Sequence, residues 1–176
     1  MTTSVLYVCT GNVCRSPFAE LLGRHLFPEP ALHLSSAGLG ALVGHPVDNH
    51  LAHQLALRGA SAEGFSARLL TPPLVARADI VLTMTRRQRD RVVSESPRAV
   101  WRVFVVGQFT RIVAEIGAGL TGEPLARALR EAHLPPEKAD EVADPRRRGP
   151  AAAAAAAAAL DAHVRSALPR LLTPNI

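Results

Sequence analysis

Two side chains that could do chemistry, Cys9 and Arg15, are separated by five residues in the stretch VCTGNVCRSP. A cysteine thiolate is a strong nucleophile, and the planar guanidinium of arginine can bind two oxygens of one phosphate group. The backbone N–H groups between these residues can turn inward and form a site for an anion. A thiolate beside an oxyanion site is suited to phosphoryl transfer through a covalent phosphocysteine. We therefore predict that Cys9 is a nucleophile and that Arg15 binds phosphate.

The elements on either side must hold this stretch at the edge of a sheet. Val5–Val8 is a short apolar run, which is typical of a buried strand, and an amphipathic helix follows the stretch. One face of this helix comprises Phe18, Leu21, Leu22, His25 and Leu26. Ser16 is predicted to cap the helix and Pro17 to be its first residue. The helix dipole would then add positive charge at the anion site and stabilise the Cys9 thiolate.

Strand and helix patterns alternate along the rest of the chain. Strands are predicted at residues 32–35, 79–84 and 100–106, and a short helical turn at 65–70. Helices are predicted at residues 47–57 and 125–132, and from residues 86, 109 and 150 onward. The last helix contains nine consecutive alanines, which favour helix but define no apolar face. This alternation predicts an α/β fold with a parallel sheet and helices on both faces, and ligands of such folds bind beyond the carboxyl ends of the strands.

Composition narrows the class of protein. The 176 residues suffice for one domain with a substantial core, and a hydrophobic content of 48% argues against disorder. The formal net charge of +5 favours anionic partners, and phosphorylated groups are anionic. Nucleic acid is the competing partner, but aromatic residues make up only 4% of the chain and no nucleic-acid-binding motif is recognised. We therefore expect no nucleic acid partner.

The two cysteines indicate the compartment. Both lie in the same loop, they are too few for a disulfide framework, and they lack the spacing of a zinc site. No stretch has the pattern of a signal peptide or of a membrane span. We therefore expect a protein without metal, cofactor or membrane partner. We expect it in the cytoplasm, because a reducing compartment would keep Cys9 active.

The stretch Cys9–Pro17, in its strand–loop–helix context, resembles the signature of the low molecular weight protein tyrosine phosphatases. That family also contains thioredoxin-linked arsenate reductases. The resemblance covers nearly the whole chain and implies a single domain over residues 1–176, with a four-stranded parallel, flavodoxin-like sheet in three layers. It implies hydrolysis of phosphotyrosine, or of a related phosphomonoester, without a cofactor.

The resemblance also implies roles within the site. The residues that would bind the phosphate are Thr10, Gly11, Asn12, Val13, Cys14, Arg15 and Ser16. Asn12 would hold the strained backbone of the loop, and Ser16 would hydrogen-bond the thiolate. Ser36, in the segment Ser36–Gly38, would support the loop from outside. Without the resemblance, Ser16 is only a helix cap and Ser36 only the end of a strand.

Asp144 is the predicted general acid. A thiolate that attacks a phosphate ester needs a proton for the leaving oxygen, and the same group can later act as a base toward water. Asp144 precedes Pro145 in a polar loop just before the last helix. An Asp-Pro pair by itself often only starts a turn. At this position it resembles the Asp-Pro general acid of the family.

The chain departs from the pattern of the family at three places. Arg146 follows the Asp-Pro pair, where many members have an aromatic residue, and Phe65 stands where many have histidine. Leu42 and Val43 occupy a loop that often carries tryptophan or tyrosine. Bacterial members that act on tyrosine kinases of polysaccharide export often lack that tryptophan, so this chain most resembles them. The expected partner is a phosphorylated protein, such as a kinase of that kind, or a small phosphomonoester.

Cys14 has two interpretations. It is either a small buried hydrophobic residue or a redox partner that traps an oxidised Cys9 as a disulfide. The two thiols lie in one tight loop, and the family resemblance implies this pairing.

Two other functions stay open beside hydrolysis. Arsenate reduction would need an external thiol, because the further cysteines of the thioredoxin-linked type are absent. A phosphoprotein-binding module without turnover would usually lack the nucleophile or the acid, whereas Cys9, Arg15 and Asp144 are all present.

Overall fold

Four strands and seven α-helices occur in the parts of the chain that the computed structural model describes, residues 2–28, 30, 32–116, 119–132 and 134–172. The strands are β1 (Thr3–Cys9), β2 (Leu32–Gly38), β3 (Ile80–Thr83) and β4 (Val103–Val105). The helices are α1 (Arg15–Leu26), α2 (Asn49–Ala56), α3 (Pro72–Arg77), α4 (Arg86–Glu95), α5 (Val106–Glu115), α6 (Gly122–Glu131) and α7 (Gly149–Ala167). Short 3₁₀ segments lie at Pro97–Arg102, Lys138–Asp140 and Leu168–Leu171.

The strands form one parallel sheet in the order β2-β1-β3-β4. β1 pairs with β2, where Cys9 is opposite Gly38, and with β3, where Val8 is opposite Thr83. The chain therefore leaves β1 toward one side for β2 and later crosses to the other side for β3. This change of direction opens a crevice at the carboxyl ends of β1 and β3, which is where parallel α/β folds bind ligands.

Helices cover both faces of the sheet because β1 is apolar on both sides. Val5 and Tyr7 belong to a core that β1 shares with α1, α2, α5 and α7, whereas Leu6 and Val8 belong to a second core with α3 and α4. A strand that is buried on both faces is typical of a parallel sheet. The predicted three-layer α/β fold with four parallel strands is confirmed.

The segment 65–70 differs from its prediction as a helical turn. Leu69 forms a bridge with Gly38, and the Gly38 N–H donates to the Arg68 carbonyl at 3.0 Å. The Leu70 N–H donates in turn to the Gly38 carbonyl at 2.8 Å. The segment is extended because its backbone groups bond to the end of β2, to the turn at Gly44 and His45 and to Asn12, and not to one another.

Helix α3 was not predicted, and several element boundaries differ from their predictions, two of them for a clear local reason. The strand expected at 100–106 is only Val103–Val105, because a 3₁₀ segment that starts at Pro97 continues to Arg102. The helix expected at 47–57 begins at Asn49. Its cap is Asp48, which accepts from the His50 N–H at 3.0 Å.

The alanine tract lies in α7 and has a buried face. Ala153, Ala156 and Ala157 are buried, in phase with Leu160 and Val164 further along the helix. These positions recur every three or four residues, which is the spacing of one helical face. Within the described parts of the chain, no helix is long and apolar enough to cross a membrane.

A buried polar cluster fixes α7 to the sheet. His163 Nε2 lies 3.3 Å from the Tyr7 hydroxyl of β1, and Nδ1 lies 2.7 Å from Thr110 Oγ1 of α5. Because Thr110 donates its own proton to the Val106 carbonyl, it can only accept from His163, so Nδ1 carries the imidazole proton. Burial lowers the pKa of His163 to about 3 and keeps the ring neutral. The helix that follows the Asp144 loop is thereby held against β1 and α5.

Candidate active site

Cys9 ends β1, where it is almost fully buried, and its Sγ lies 3.0 Å from Ser16 Oγ. Helix α1 begins at Arg15, and no side chain caps it. The prediction that Ser16 is the cap and Pro17 the first helical residue is therefore wrong. Ser16 lies inside the first turn, and its hydroxyl forms a hydrogen bond with the thiol of Cys9 and not with a backbone N–H group.

Asn12 fixes the loop between Cys9 and α1. Its φ is +53°, a left-handed backbone that asparagine adopts more readily than most residues. Nδ2 donates to Ser16 Oγ and to Ser36 Oγ, both at 2.9 Å, and Oδ1 accepts from the Arg68 N–H at 2.8 Å. Both amide protons and the amide oxygen are used, so the surroundings hold the strained backbone in place.

A buried carboxylate extends this hydrogen-bonded chain. Ser36 Oγ donates to Glu20 Oε2 at 2.5 Å, and Arg24 Nη2 lies 3.1 Å from the other oxygen of Glu20. Burial raises the pKa of Glu20, although the Ser36 hydrogen bond and the Arg24 charge oppose this effect. The sequence analysis missed Glu20, whose only signal is its place four residues after Ser16 on α1.

The segment Ser36–Gly38 lies directly against the Cys9 loop. A Cβ at Gly38 would come within 2.6 Å of the Thr10 carbonyl oxygen and 2.9 Å of the Asn12 nitrogen, so this approach requires glycine. The Gly40 N–H donates to the same Thr10 carbonyl at 2.9 Å. The loop is thereby held on its outer side by the end of β2.

Arg15 reaches from α1 to the loop that carries Asp144. It is 3% exposed, its Nη1 donates to the Val142 carbonyl at 2.9 Å, and its Nη2 lies 3.0 Å from Asp144 Oδ2. The Asp144 side chain is 52% exposed. Arg15 Nε has no hydrogen-bond partner among the described residues. A buried donor of this kind is available to an anion.

One small cavity joins the residues predicted to do the chemistry. Its volume is about 70 Å³, and it is lined by Cys9, Thr10, Gly11, Val13, Cys14, Arg15, Gly40, Asp144 and Arg146. A water molecule takes up ~30 Å³ in the liquid, so the cavity suits a phosphoryl group and is too small for a whole phosphotyrosine. Among the residues predicted to bind phosphate, Asn12 and Ser16 do not line it, because they lie fully buried behind the loop.

Helix α5 and the end of β3 hold the loop that carries Asp144. Arg111 of α5 donates two hydrogen bonds to Asp140, at 2.9 and 2.7 Å. Burial opposes the charge of Asp140, but the bonds from Arg111 and from the Glu137 N–H, together with the charges of Arg111 and Arg86, lower the pKa of the carboxyl. The Val142 N–H donates to the Met84 carbonyl just beyond β3, at 2.9 Å. These contacts place Asp144 beside the Cys9 loop, which is far away in the sequence but lines the same cavity.

Gln88 is a second residue that the sequence analysis missed. Its Nε2 donates to Thr10 Oγ1 at 3.1 Å, and its Oε1 accepts from the Met84 N–H at 2.9 Å. Gln88 therefore connects the Cys9 loop to the end of β3. In the sequence it is one polar residue within an arginine-rich run, and only its burial distinguishes it.

The sequence model of the low molecular weight phosphotyrosine protein phosphatases matches residues 4–124, well over half of the chain. The chain belongs to this family. The matched residues include the Cys9 loop and end before Asp144. The place of Asp144 in this phosphatase is therefore seen in the tertiary structure, through its contact with Arg15.

Bacterial phosphatases are similar to the chain in sequence. The probable low molecular weight protein-tyrosine-phosphatase EpsP of Ralstonia nicotianae is 38% identical over 108 residues, which are 61% of this chain and 73% of that protein. Wzb of Escherichia coli K12, a low molecular weight protein-tyrosine-phosphatase, is 38% identical over 109 residues, 62% of this chain and 73% of that protein.

Solved phosphatase structures share the fold. The crystal structure of the Erwinia amylovora tyrosine phosphatase AmsI superposes with a TM-score of 0.73 at 25% identity, covering 94% of this chain and 91% of that one. The YwlE arginine phosphatase from Geobacillus stearothermophilus gives a TM-score of 0.73 at 26% identity, covering 93% and 89%. The fold is therefore shared by phosphatases named for tyrosine and for arginine.

Cys14 is the second thiol of the phosphatase cavity. Both cysteines are free thiols. Burial raises the pKa of Cys14 to about 12, and the negative charges of Asp48 and Cys9 add to the effect. Cys14 is therefore a neutral thiol near pH 7.

Proposed function

We propose that this phosphatase hydrolyses phosphotyrosine in a phosphorylated protein, with Cys9 as nucleophile, Arg15 as phosphate ligand and Asp144 as general acid and base. The observation that carries this proposal is the single cavity that all three residues line. Within it the guanidinium of Arg15 contacts Asp144, and the sulfur of Cys9 is hydrogen-bonded from behind the loop by Ser16.

The direction of the hydrogen bonds favours a Cys9 thiolate. Asn12 Nδ2 has two protons and donates one to Ser16 and one to Ser36. Ser16 Oγ therefore accepts from Asn12 and keeps its own proton for the Cys9 sulfur. The N-terminus of α1 and the charge of Arg15 add to this stabilisation of the anion.

In the first step the Cys9 thiolate attacks phosphorus and an S–P bond forms. The bond between phosphorus and the ester oxygen breaks, and its electron pair goes to the leaving oxygen. Protonated Asp144 donates its proton to that oxygen, so tyrosine leaves as a neutral phenol. The fork of Arg15 holds two phosphoryl oxygens as the geometry at phosphorus changes.

In the second step water hydrolyses the phosphocysteine. The Asp144 carboxylate, now ionised, accepts a proton from water while the water oxygen attacks phosphorus. The S–P bond breaks and returns its electron pair to Cys9, which regenerates the thiolate. Because the Asp144 side chain is half exposed, water can reach it from solvent.

The depth of the site supports an aryl ester as substrate. Cys9 is 2% exposed at the base of a cavity large enough for a phosphoryl group only. A long tyrosyl side chain can present its phosphate to such a buried sulfur more readily than the short ester of phosphoserine. The bacterial relatives support a protein substrate, and we extend the proposal to a cytoplasmic tyrosine kinase of polysaccharide export.

Hydrolysis of p-nitrophenyl phosphate by the purified protein in the presence of EDTA tests this proposal. Turnover is expected, followed by a preference for phosphotyrosine over phosphoserine and phosphoarginine in peptides of one sequence. Preference for phosphoarginine would contradict the tyrosine assignment. Arsenate reduction with an external thiol, or phosphopeptide binding, in place of any hydrolysis would contradict the phosphatase itself.

We further propose that Cys14 protects Cys9 from irreversible oxidation. Peroxide converts the Cys9 thiolate to a sulfenic acid and is itself reduced to hydroxide. The Cys14 sulfur then attacks the sulfenic sulfur, a disulfide forms, and water leaves. Oxidation also removes the Cys9 charge, which is one cause of the raised pKa of Cys14. Peroxide is therefore expected to inactivate the enzyme, and dithiothreitol to restore it.

The variant Cys14→Ser tests this protection. It is expected to retain turnover before oxidation and to lose most of the recovery with dithiothreitol. Mass spectrometry of the oxidised wild type should show the loss of two hydrogens within one chain. Recovery of Cys14→Ser to the level of wild type would show that Cys14 serves packing alone.

A further inference from the structure

A second cavity, the outer cleft, adjoins the cavity of Cys9. Its volume is about 580 Å³, and it shares Thr10, Arg15 and Asp144 with the smaller cavity. Its charged lining otherwise comes from α4 and from the loop before α7, namely Arg87, Arg91, Lys138 and Glu141. Of the described residues that line either cavity, none is aromatic. The outer cleft is large enough for residues that flank a phosphorylated side chain.

Most charges of the outer cleft are already paired. Arg91 lies 3.0 Å from Glu95, and Lys138 lies 2.7 Å from Glu141. The hydrogen bond from Lys138, together with Arg86, lowers the pKa of Glu141 to about 2 although burial opposes this. Glu141 is therefore ionised and compensated by two cations. Arg91, Lys138 and Glu141 are thus each paired with an opposite charge.

Arg87 is an unpaired cation of the outer cleft. It is exposed on α4, and no carboxylate of the described residues lies within 4.0 Å of its guanidinium. Its neighbour Arg86, by contrast, is bound to Glu141 at 3.0 Å. An exposed guanidinium without an internal partner can bind a carboxylate of another molecule in its planar fork.

Arg146 is a second unpaired cation, and it lines the small cavity itself. Its backbone N–H donates to Asp144 Oδ1 at 3.1 Å, and the Arg148 N–H donates to the Pro145 carbonyl at 3.1 Å. Arg147, between them, has a left-handed backbone with φ +58°. This tight turn holds Arg146 at the cavity. Like Arg87, Arg146 has no ion-pair partner within the described part of the chain.

We propose that the outer cleft selects phosphoprotein segments with acidic residues beside the phosphorylated residue, and that Arg146 and Arg87 determine this specificity. The inference rests on the proposed phosphatase function of the adjoining cavity. Arg146 meets the carboxylate nearest the phosphate, and Arg87 meets one further along the segment. In a cleft without an aromatic wall, charge is a feature that can distinguish one peptide from another.

The expected preference for acidic peptides is moderate because both arginines are exposed. An exposed ion pair changes affinity by about two- to fivefold, so two pairs together change it by about tenfold. Salt screens such pairs over roughly 10 Å at 0.1 M ionic strength. The net charge of +5 also favours encounter with acidic segments. The preference is therefore expected to be moderate and sensitive to salt.

Two phosphotyrosine peptides of equal length test the proposal, one with glutamate and one with glutamine at the two positions on each side. The measured quantity is the ratio of kcat/KM for the two peptides, at low salt and at 0.5 M salt. For wild type we expect about tenfold preference for the glutamate peptide at low salt, and near equality at high salt. The dissociation constants of both peptides for Cys9→Ser give the same comparison without turnover.

The variants Arg87→Gln and Arg146→Gln identify the residues responsible. Each is expected to reduce the ratio about two- to fivefold, and the double variant to bring it close to one. Arg77→Gln is the matched control, because it removes one exposed arginine of α3 that lines neither cavity. The control is expected to keep the ratio of wild type.

The outcomes distinguish a failure of the proposed peptide specificity from a failure of the proposed phosphatase activity. Hydrolysis of p-nitrophenyl phosphate with equal use of both peptides would overturn the specificity and leave the phosphatase intact. A preference that survives in the double variant would overturn the two arginines as its source. Binding of a single-stranded oligonucleotide to Cys9→Ser more tightly than the glutamate peptide would assign the cleft to nucleic acid. No hydrolysis of any phosphate ester would overturn the proposed function and this inference with it.

Discussion

Cys9→Ser is expected to abolish turnover of p-nitrophenyl phosphate, with a loss of roughly 10⁴–10⁶-fold in kcat. A serine hydroxyl stays protonated where a thiol ionises, so the attacking anion is lost. The hydroxyl has nearly the shape of the thiol and can keep the contact with Ser16, which lies 3.0 Å from the sulfur. The loop and Arg15 are therefore expected to bind phosphate or vanadate still, measured by titration calorimetry.

The second cysteine of the same loop supplies the matched control. Cys14→Ser makes the same atomic change five positions further on and is expected to retain turnover. If Cys9→Ser hydrolysed the substrate at nearly the rate of wild type, Cys9 would not be the nucleophile. If it failed to bind vanadate as well, the loss would have to be attributed to a damaged loop.

Asp144→Asn is expected to slow hydrolysis of aryl phosphates by ~10²–10⁴-fold when the leaving phenol is weakly acidic. The amide has the shape of the carboxyl group but cannot give up a proton to the leaving oxygen. Phenols that are strongly acidic leave without protonation, so the loss is expected to shrink for their esters. Rates for a series of substituted phenyl phosphates, plotted against the acidity of the phenol, measure this dependence.

Asp140→Asn is the control for this prediction, since it makes the same change in the same loop. Asp140 bonds to Arg111 and is not among the residues that line either cavity. Its replacement is expected to lower the melting temperature without a steeper dependence on the leaving group. An equal loss for all leaving groups in Asp144→Asn would assign Asp144 a structural role, through its contact with Arg15.

The Cys9 loop was predictable because its parts are contiguous. Cys9 and Arg15 lie within one strand–loop–helix unit, and an apolar run followed by helical spacing is a local pattern. The four parallel strands were predictable for the same reason, since three are short apolar runs and β2 begins with an alternation of apolar and polar residues. The end of β2 was placed too early, at residue 35, because Ser35 and Ser36 interrupt the apolar pattern although the strand continues to Gly38.

Local rules failed where a side chain or a backbone group bonds outside its own element and not to its neighbours within that element. Ser16 has the sequence pattern of a helix cap, but its hydroxyl bonds to Cys9 and Asn12. Arg68 lies in an apolar stretch that looks helical, but its N–H group bonds to Asn12, 56 residues earlier. In both cases a tertiary hydrogen bond replaces the local one that the pattern predicts.

The sequence alone determined the parallel sheet, most of the helices between its strands, and a loop with the residues of a cysteine-dependent phosphatase, but it did not predict α3. Only the tertiary structure decided which carboxylate lies on Arg15, which face of the alanine helix is buried, and which arginines are left unpaired. Nine identical alanines have no apolar face of their own, so the packing of Leu160 and Val164 sets it. Ion pairs between residues far apart in the chain depend on how the loops pack, because a sequence pattern records spacing along the chain and not proximity in space.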